Sequence, residues 1–143
     1  MKKIFPGLVL ILLLVNACSK EDAPKLETFS QEAFAFDLGD GSWEINSTVR
    51  IKGFNQTEKN DKFSASIEYV VDLVKPEGDT VKSVYSNIMN QTEAEKIGDL
   101  ALEAQFELDS TFEFGSYKVL YTVKDRLSKQ TAAATINLQL GEE

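Results

Sequence analysis

Histidine is absent from this sequence, and cysteine and tryptophan occur once each. Without histidine the commonest general base and metal ligand is missing, and nucleophile systems of the serine–histidine or cysteine–histidine kind cannot be assembled. A single cysteine excludes an internal disulfide and a cysteine-rich zinc site. Basic residues are also scarce, 15 against 23 acidic, for a net charge of −8. Nucleic acid, whose phosphates need a basic footprint, is therefore not an expected partner. No glycine-rich phosphate loop occurs, and no loop gathers aromatic residues. What remains, 43% hydrophobic and 27% charged over 143 residues, is the composition of one globular domain.

The first residues carry the strongest motif. Lys2 and Lys3 precede an apolar run from Ile4 to Val15, and the chain turns polar at Ser19. A basic start, an apolar core of about 7–15 residues and a small residue before the cut describe a secretory signal. The run is shorter than the roughly 20 residues of a membrane span. Val15-Asn16-Ala17-Cys18 resembles the lipobox of bacterial lipoproteins, with Asn16 where Ser, Ala or Thr is more usual. That resemblance implies that Cys18 becomes the lipidated first residue of the mature chain, its thiolate accepting a diacylglyceryl group. Three acyl chains (palmitate-type) exceed the two signals that stable membrane attachment needs.

Lys20-Glu21-Asp22 resembles the short export signal of Bacteroidetes surface lipoproteins. The resemblance implies an outer-membrane protein displayed at the cell surface, with periplasm-facing display as the alternative. Loss of residues 1–17 takes two lysines with it and shifts the charge from −8 to −10. Such a chain is held to a membrane by its lipid and not by a basic patch. Residues 18–30, polar and including Pro24, read as a lipidated tether.

Residues 31–143 read as the folded domain. Period-two alternation dominates: Phe34, Phe36 and Leu38; Trp43, Ile45, Val49 and Ile51; Phe63 to Leu73; an irregular run at 80–89; Leu100 to Leu108; Tyr117 to Val123; and Ala132 to Leu140. Gly39-Asp40-Gly41 and Lys75-Pro76-Glu77-Gly78-Asp79 are turn signals. Thr92-Glu93-Ala94-Glu95 matches a capping box, and Gly98 is a natural helix stop, predicting a short helical turn. With no long crossover helices the seven strands must pair antiparallel, which makes an all-β two-layer sandwich.

Phe114-Gly115-Ser116-Tyr117 opens the sixth run and resembles the tyrosine corner of immunoglobulin and fibronectin sandwiches. The resemblance implies that the Tyr117 phenol reaches back to a backbone group. Trp43 lies on the second run and no cysteine pair exists, so the likeness is to a fibronectin-like or bacterial Ig-like domain. Such an architecture does not by itself imply a function.

No residue is assigned a catalytic role, no cofactor is expected, and the chain does not read as an enzyme. Asp37, Asp40 and the backbone at Gly41 offer oxygens of the type calcium accepts, yet the same residues are ordinary turn formers. No metal ligand is assigned. Asp79-Thr80-Val81 and Asp109-Ser110-Thr111 resemble the O-glycan acceptor tripeptide of Bacteroidetes, and three Asn-x-Thr/Ser tripeptides, at Asn46, Asn55 and Asn90, are discounted in a bacterial lipoprotein. By strand parity Val70, Val74, Leu120 and Ala133 face outward, making that sheet face the candidate partner surface. The expected function is a non-catalytic, lipid-anchored envelope module that binds a protein or glycan. The alternative is a small-ligand or glycan-binding accessory protein, or an envelope enzyme without a recognisable motif.

Overall fold

The structure is a computed structural model that describes residues 23–142. Eight strands form it: β1 (Glu27–Asp37), β2 (Trp43–Lys52), β3 (Thr57–Lys59), β4 (Lys62–Val74), β5 (Thr80–Glu93), β6 (Asp99–Leu108), β7 (Gly115–Asp125) and β8 (Thr131–Leu140). All pairings are antiparallel. One sheet has the order β1-β2-β6. The other runs β5-β4-β7-β8, with β3 paired to the start of β4. The sheets pack as a β-sandwich.

Period-two burial is sharp on β2, β4, β6, β7 and β8. Ile45, Val49 and Ile51 of β2 oppose Phe106, Leu102 and Leu100 of β6 in one sheet. Ile67, Tyr69, Val71, Val119, Tyr121, Ala134 and Ile136 line the inner face of the other, all buried. A buried polar bond ties the two sheets together: the hydroxyls of Tyr121 and Ser47 lie 2.8 Å apart, and Tyr121 also donates to the Ser47 carbonyl at 3.1 Å. Burial pushes the Tyr121 phenol up to about 12, so it stays a neutral hydroxyl, able to donate. Tyr121 stacks on Tyr69, whose hydroxyl donates across the sandwich to the Glu103 carbonyl at 2.6 Å.

The first apolar run is turned over relative to its sequence reading. Phe34 and Phe36 are 54% and 52% exposed and Leu38 is exposed too, whereas Ala33 and Ala35 pack against the core. A bulge between Phe29 and Glu32, with Ser30 at φ 46°, inverts the parity of the strand. Its inner face lies close to β8, where the Thr28 hydroxyl donates to the Ala133 carbonyl at 3.0 Å. Alanines fit such an edge. The strand also begins at Glu27, with Leu26 already buried, so order sets in before the predicted boundary at residue 30.

The predicted helical turn at 92–98 is absent. Thr92 and Glu93 pair with Ser64 and Phe63 as the tail of β5, and the Thr92 hydroxyl bonds the Ser64 hydroxyl at 2.9 Å. The would-be cap is thus already engaged. Residues 94 and 95 bend, and the Gln56 side chain holds the connection at Ile97 by accepting from its N–H and donating to its carbonyl, each at 2.8 Å. The eighth strand comes from the β3–β4 hairpin, whose Asn60 and Asp61 take φ 53° and 57° as a type I′ turn requires. The irregular run at 80–89 is the bulged part of β5. Pairing there jumps between Val71 and Leu73, and Asp72 accepts from the Ser83 N–H at 2.8 Å and from Lys82 at 2.9 Å.

Candidate functional site

Cys18, Lys20, Glu21 and Asp22 lie outside the described residues. The described chain enters at the Leu26 end of β1. An 11-residue strand carries it roughly 30 Å to Asp37 at the opposite end. That far end gathers the β1–β2, β4–β5 and β6–β7 connections together with the end of β8.

Val70, Val74, Leu120 and Ala133 all point to the outer face of the larger sheet. Val70 pairs with Thr122, Asp72 with Leu120, Val74 with Lys118 and Thr122 with Ala133. The four therefore form a diagonal chain separated by Asp72, Lys118 and Thr122. The three larger side chains are half-buried against these neighbours and Ala133 is exposed.

The far end is apolar in a different manner. Phe112 and Phe114 stand on one loop, contrary to the expectation that no loop gathers aromatics, and Phe114 is 70% exposed. The Phe114 ring meets the Trp43 indole at 6.0 Å and 82°, a T-shaped contact. Gly141, at φ 77°, lies beneath the same ring; a Cβ there would come within 2.7 Å of it. Only glycine lets the ring settle at that place.

Phe114 separates two clefts. One, of about 380 Å³, lies toward Lys75, Glu77 and Tyr117, with the Lys75 ammonium 5.4 Å from the centre of the Phe112 ring. The other, of about 480 Å³, is formed by Trp43, Phe114, Ala35 and Gly141 with the polar Asp37, Gln139 and Glu142. Trp43 is 8% exposed, and its indole Nε1–H is the one enclosed side-chain polar atom without a hydrogen-bond partner among the described residues. An enclosed donor left unpaired costs about 1–3 kcal/mol.

The turn acids are engaged locally. Asp37 accepts from the Gly39 N–H at 2.7 Å and Asp40 from the Ser42 N–H at 3.0 Å, and the Ser42 hydroxyl and N–H hold the Asp40 carboxyl below its ordinary range. This is turn chemistry. No group of three or more acidic, Cys or His side chains poised for a metal occurs among the described residues. Thr80 opens β5 beside its turn, and Ser110 lies in the β6–β7 connection, both exposed. In that connection Asp109 accepts from the Thr111 hydroxyl and, at 2.9 Å, from its N–H, which lower the Asp109 carboxyl.

The sequence reading passed over Phe114 and Trp43 as a pair. The available signal was the Phe112-x-Phe114 spacing directly before the Gly115 strand start, and a lone Trp two residues after the Gly-Asp-Gly turn.

No protein-family model matches the chain, and no curated protein matches it. Among solved structures it is similar to a family 123 glycoside hydrolase from Clostridium perfringens, at 9% identity and TM-score 0.51 over 84% of this chain and 28% of that one. It is also similar to a β-glucuronidase 2 from Bacteroides uniformis, at 13% identity and TM-score 0.49 over 76% of this chain and 12% of that one. A protein from Archaeoglobus fulgidus matches at 12% identity and TM-score 0.39, over 82% of this chain and 98% of that one. The chain thus spans 28% or less of the two hydrolases, and the likeness at this identity is one of fold.

Proposed function

We propose that this chain is a non-catalytic binding module, tethered to the outer membrane through a lipidated Cys18 and directed to the cell surface by Lys20-Glu21-Asp22. In this reading its sandwich is of the immunoglobulin–fibronectin type. Two features support that type: a three-stranded sheet β1-β2-β6 facing a five-stranded one whose long strands run β5-β4-β7-β8, and the Tyr117 hydroxyl donating to the Glu113 carbonyl at 2.7 Å.

The observation that carries the proposal is the placement of exposed large apolar side chains. Phe36, Leu38 and Phe114 lie at the end of the sandwich opposite the side where the chain enters. A domain tethered at Leu26 holds that end away from the membrane. Exposed large apolar groups grouped at one end are a mark of an interaction site, and loops on a rigid sandwich are where such domains bind. The partner is a protein or a glycan, and the cleft beside Trp43 favours the glycan-binding alternative.

Paired variants test this on intact cells. Phe36→Ser with Phe114→Ser is expected to abolish capture of the partner. Val70→Lys with Leu120→Glu, on the outer face, is expected to leave it intact; the reverse pattern would move the working surface to that face. Cys18→Ser is expected to release the protein from the membrane fraction, and unchanged attachment would refute the anchoring.

A further inference from the structure

We infer that the cleft between Trp43 and Phe114 is a saccharide site. The inference rests on the reading of the chain as a binding module that works through its far end, and it names the ligand.

Each polar group in the cleft restricts the ligand. The Trp43 Nε1–H is a donor without an acceptor, so the ligand must bring an acceptor. Asp37 and Glu142 bring only acceptors, so the ligand must also bring donors. Gly39 occupies one oxygen of Asp37, leaving the other. Gln139 is less available, its Oε1 accepting from the Ser116 hydroxyl at 2.7 Å. No Lys or Arg lines this cleft, so two carboxylates repel an anion. An organic cation would suit the carboxylates and rings but leave the indole N–H unpaired. An acyl chain would strip water from both carboxylates without replacing it.

A sugar ring meets every condition. Its hydroxyls accept from Nε1 and donate to Asp37 and Glu142, and its C–H face lies against the exposed Phe114 ring. The cavity of about 480 Å³ is within the range of small-molecule sites, about 300–1,000 Å³. Trp43 Nε1 is enclosed in the unliganded chain; in this proposal the Phe114 ring, which packs on the indole, shifts to admit the ligand. That ring is largely exposed, and rotamer changes of exposed side chains are fast.

Trp43 is the only tryptophan of the chain, so its fluorescence reports on this cleft directly. The purified domain is titrated with four neutral hexasaccharides, maltohexaose, cellohexaose, mannohexaose and xylohexaose, and in parallel with choline. A saturable change in Trp43 emission with at least one hexasaccharide, and none with choline, is expected. Phe114→Ala and Asp37→Asn are each expected to weaken binding about tenfold. Trp43→Phe, followed by calorimetry, keeps an aromatic ring but removes the donor together with the second indole ring, and is expected to weaken binding at least as much. Urea melts of each variant check that the fold is intact. Silence with all four hexasaccharides, binding indifferent to Phe114 and Asp37, or binding of choline instead would each overturn the saccharide assignment. If that happens while partner capture on cells still depends on Phe36 and Phe114, the binding-module reading stands and only the ligand class falls. If capture is also indifferent to them, both fall.

Discussion

Replacing Asp125 with alanine should be among the most damaging single changes in the domain. Asp125 is buried at the end of β7 and ties two loops to the sheet. It accepts from the Asn55 N–H at 2.7 Å, the Leu127 N–H at 2.9 Å and the Ser128 hydroxyl at 2.7 Å. Each such bond to a charged acceptor contributes about 1.5–3 kcal/mol, but Leu127 is exposed and its N–H regains water when released. Counting mainly the Asn55 and Ser128 bonds, the expected loss for Asp125→Ala is about 3 kcal/mol. In a domain of this size that lowers Tm by about 10 °C. Urea unfolding followed by the fluorescence of the buried Trp43 measures it. A loss below about 0.5 kcal/mol, the range of ordinary surface substitutions, would refute the assignment.

The same group sets part of the acid sensitivity. Burial pushes the Asp125 carboxyl up, but the donors from Asn55, Ser128 and Leu127 outweigh it and hold it below the ordinary 3.8. A carboxyl depressed in the folded state stabilises fully above its unfolded value and loses that contribution as pH falls through its folded value. Wild-type stability should therefore decline as pH drops from about 4 downward, and Asp125→Ala should decline less steeply. Parallel acid curves would contradict this.

Three further outcomes follow from the geometry. Gly53→Ala should prevent or severely weaken folding, because a Cβ at this φ of 74° would stand 1.8 Å from the Lys25 carbonyl oxygen; soluble expression with a normal melt would refute it. Tyr121→Phe should cost about 1–2 kcal/mol because it leaves the Ser47 hydroxyl unpaired, Ser47→Ala less because the Tyr121 hydroxyl keeps the Ser47 carbonyl, and the double variant clearly less than their sum. Strict additivity in that cycle would show that the bond contributes nothing. Gly141→Ala should displace Phe114 and change Trp43 fluorescence without ligand, and an unchanged spectrum would contradict the close packing.

The sandwich was legible where alternation was driven by burial on one side. The inner sets of β2, β4, β6, β7 and β8 follow from period two. The Tyr117 bond to a backbone carbonyl also agrees with its motif. Edges were not legible. Nothing local in Phe34-Ala35-Phe36 reveals that a bulge four residues earlier inverts the strand, or that close approach to β8 selects alanine over phenylalanine. The capping box at Thr92 failed because its hydroxyl is held by Ser64, a partner 28 residues away. The Asn60-Asp61 turn is a weaker hairpin signal than Asn-Gly, so β3 went unread. For the site, the outward direction of Val70, Val74, Leu120 and Ala133 was readable from parity. The meeting of Trp43, Phe114 and Gly141 was not, because it joins the start of β2, the β6–β7 connection and the end of β8, far apart in sequence.

The central claim, that the far end is the working surface, is tested most directly by photo-cross-linking on intact cells. A benzophenone side chain is placed at position 114 in one variant of the full chain and at position 70 in another, and adducts are collected after irradiation. The benzophenone inserts into C–H bonds of either a sugar or a protein. The account predicts adducts from position 114 and none from position 70; adducts confined to position 70, or none from position 114, would contradict it.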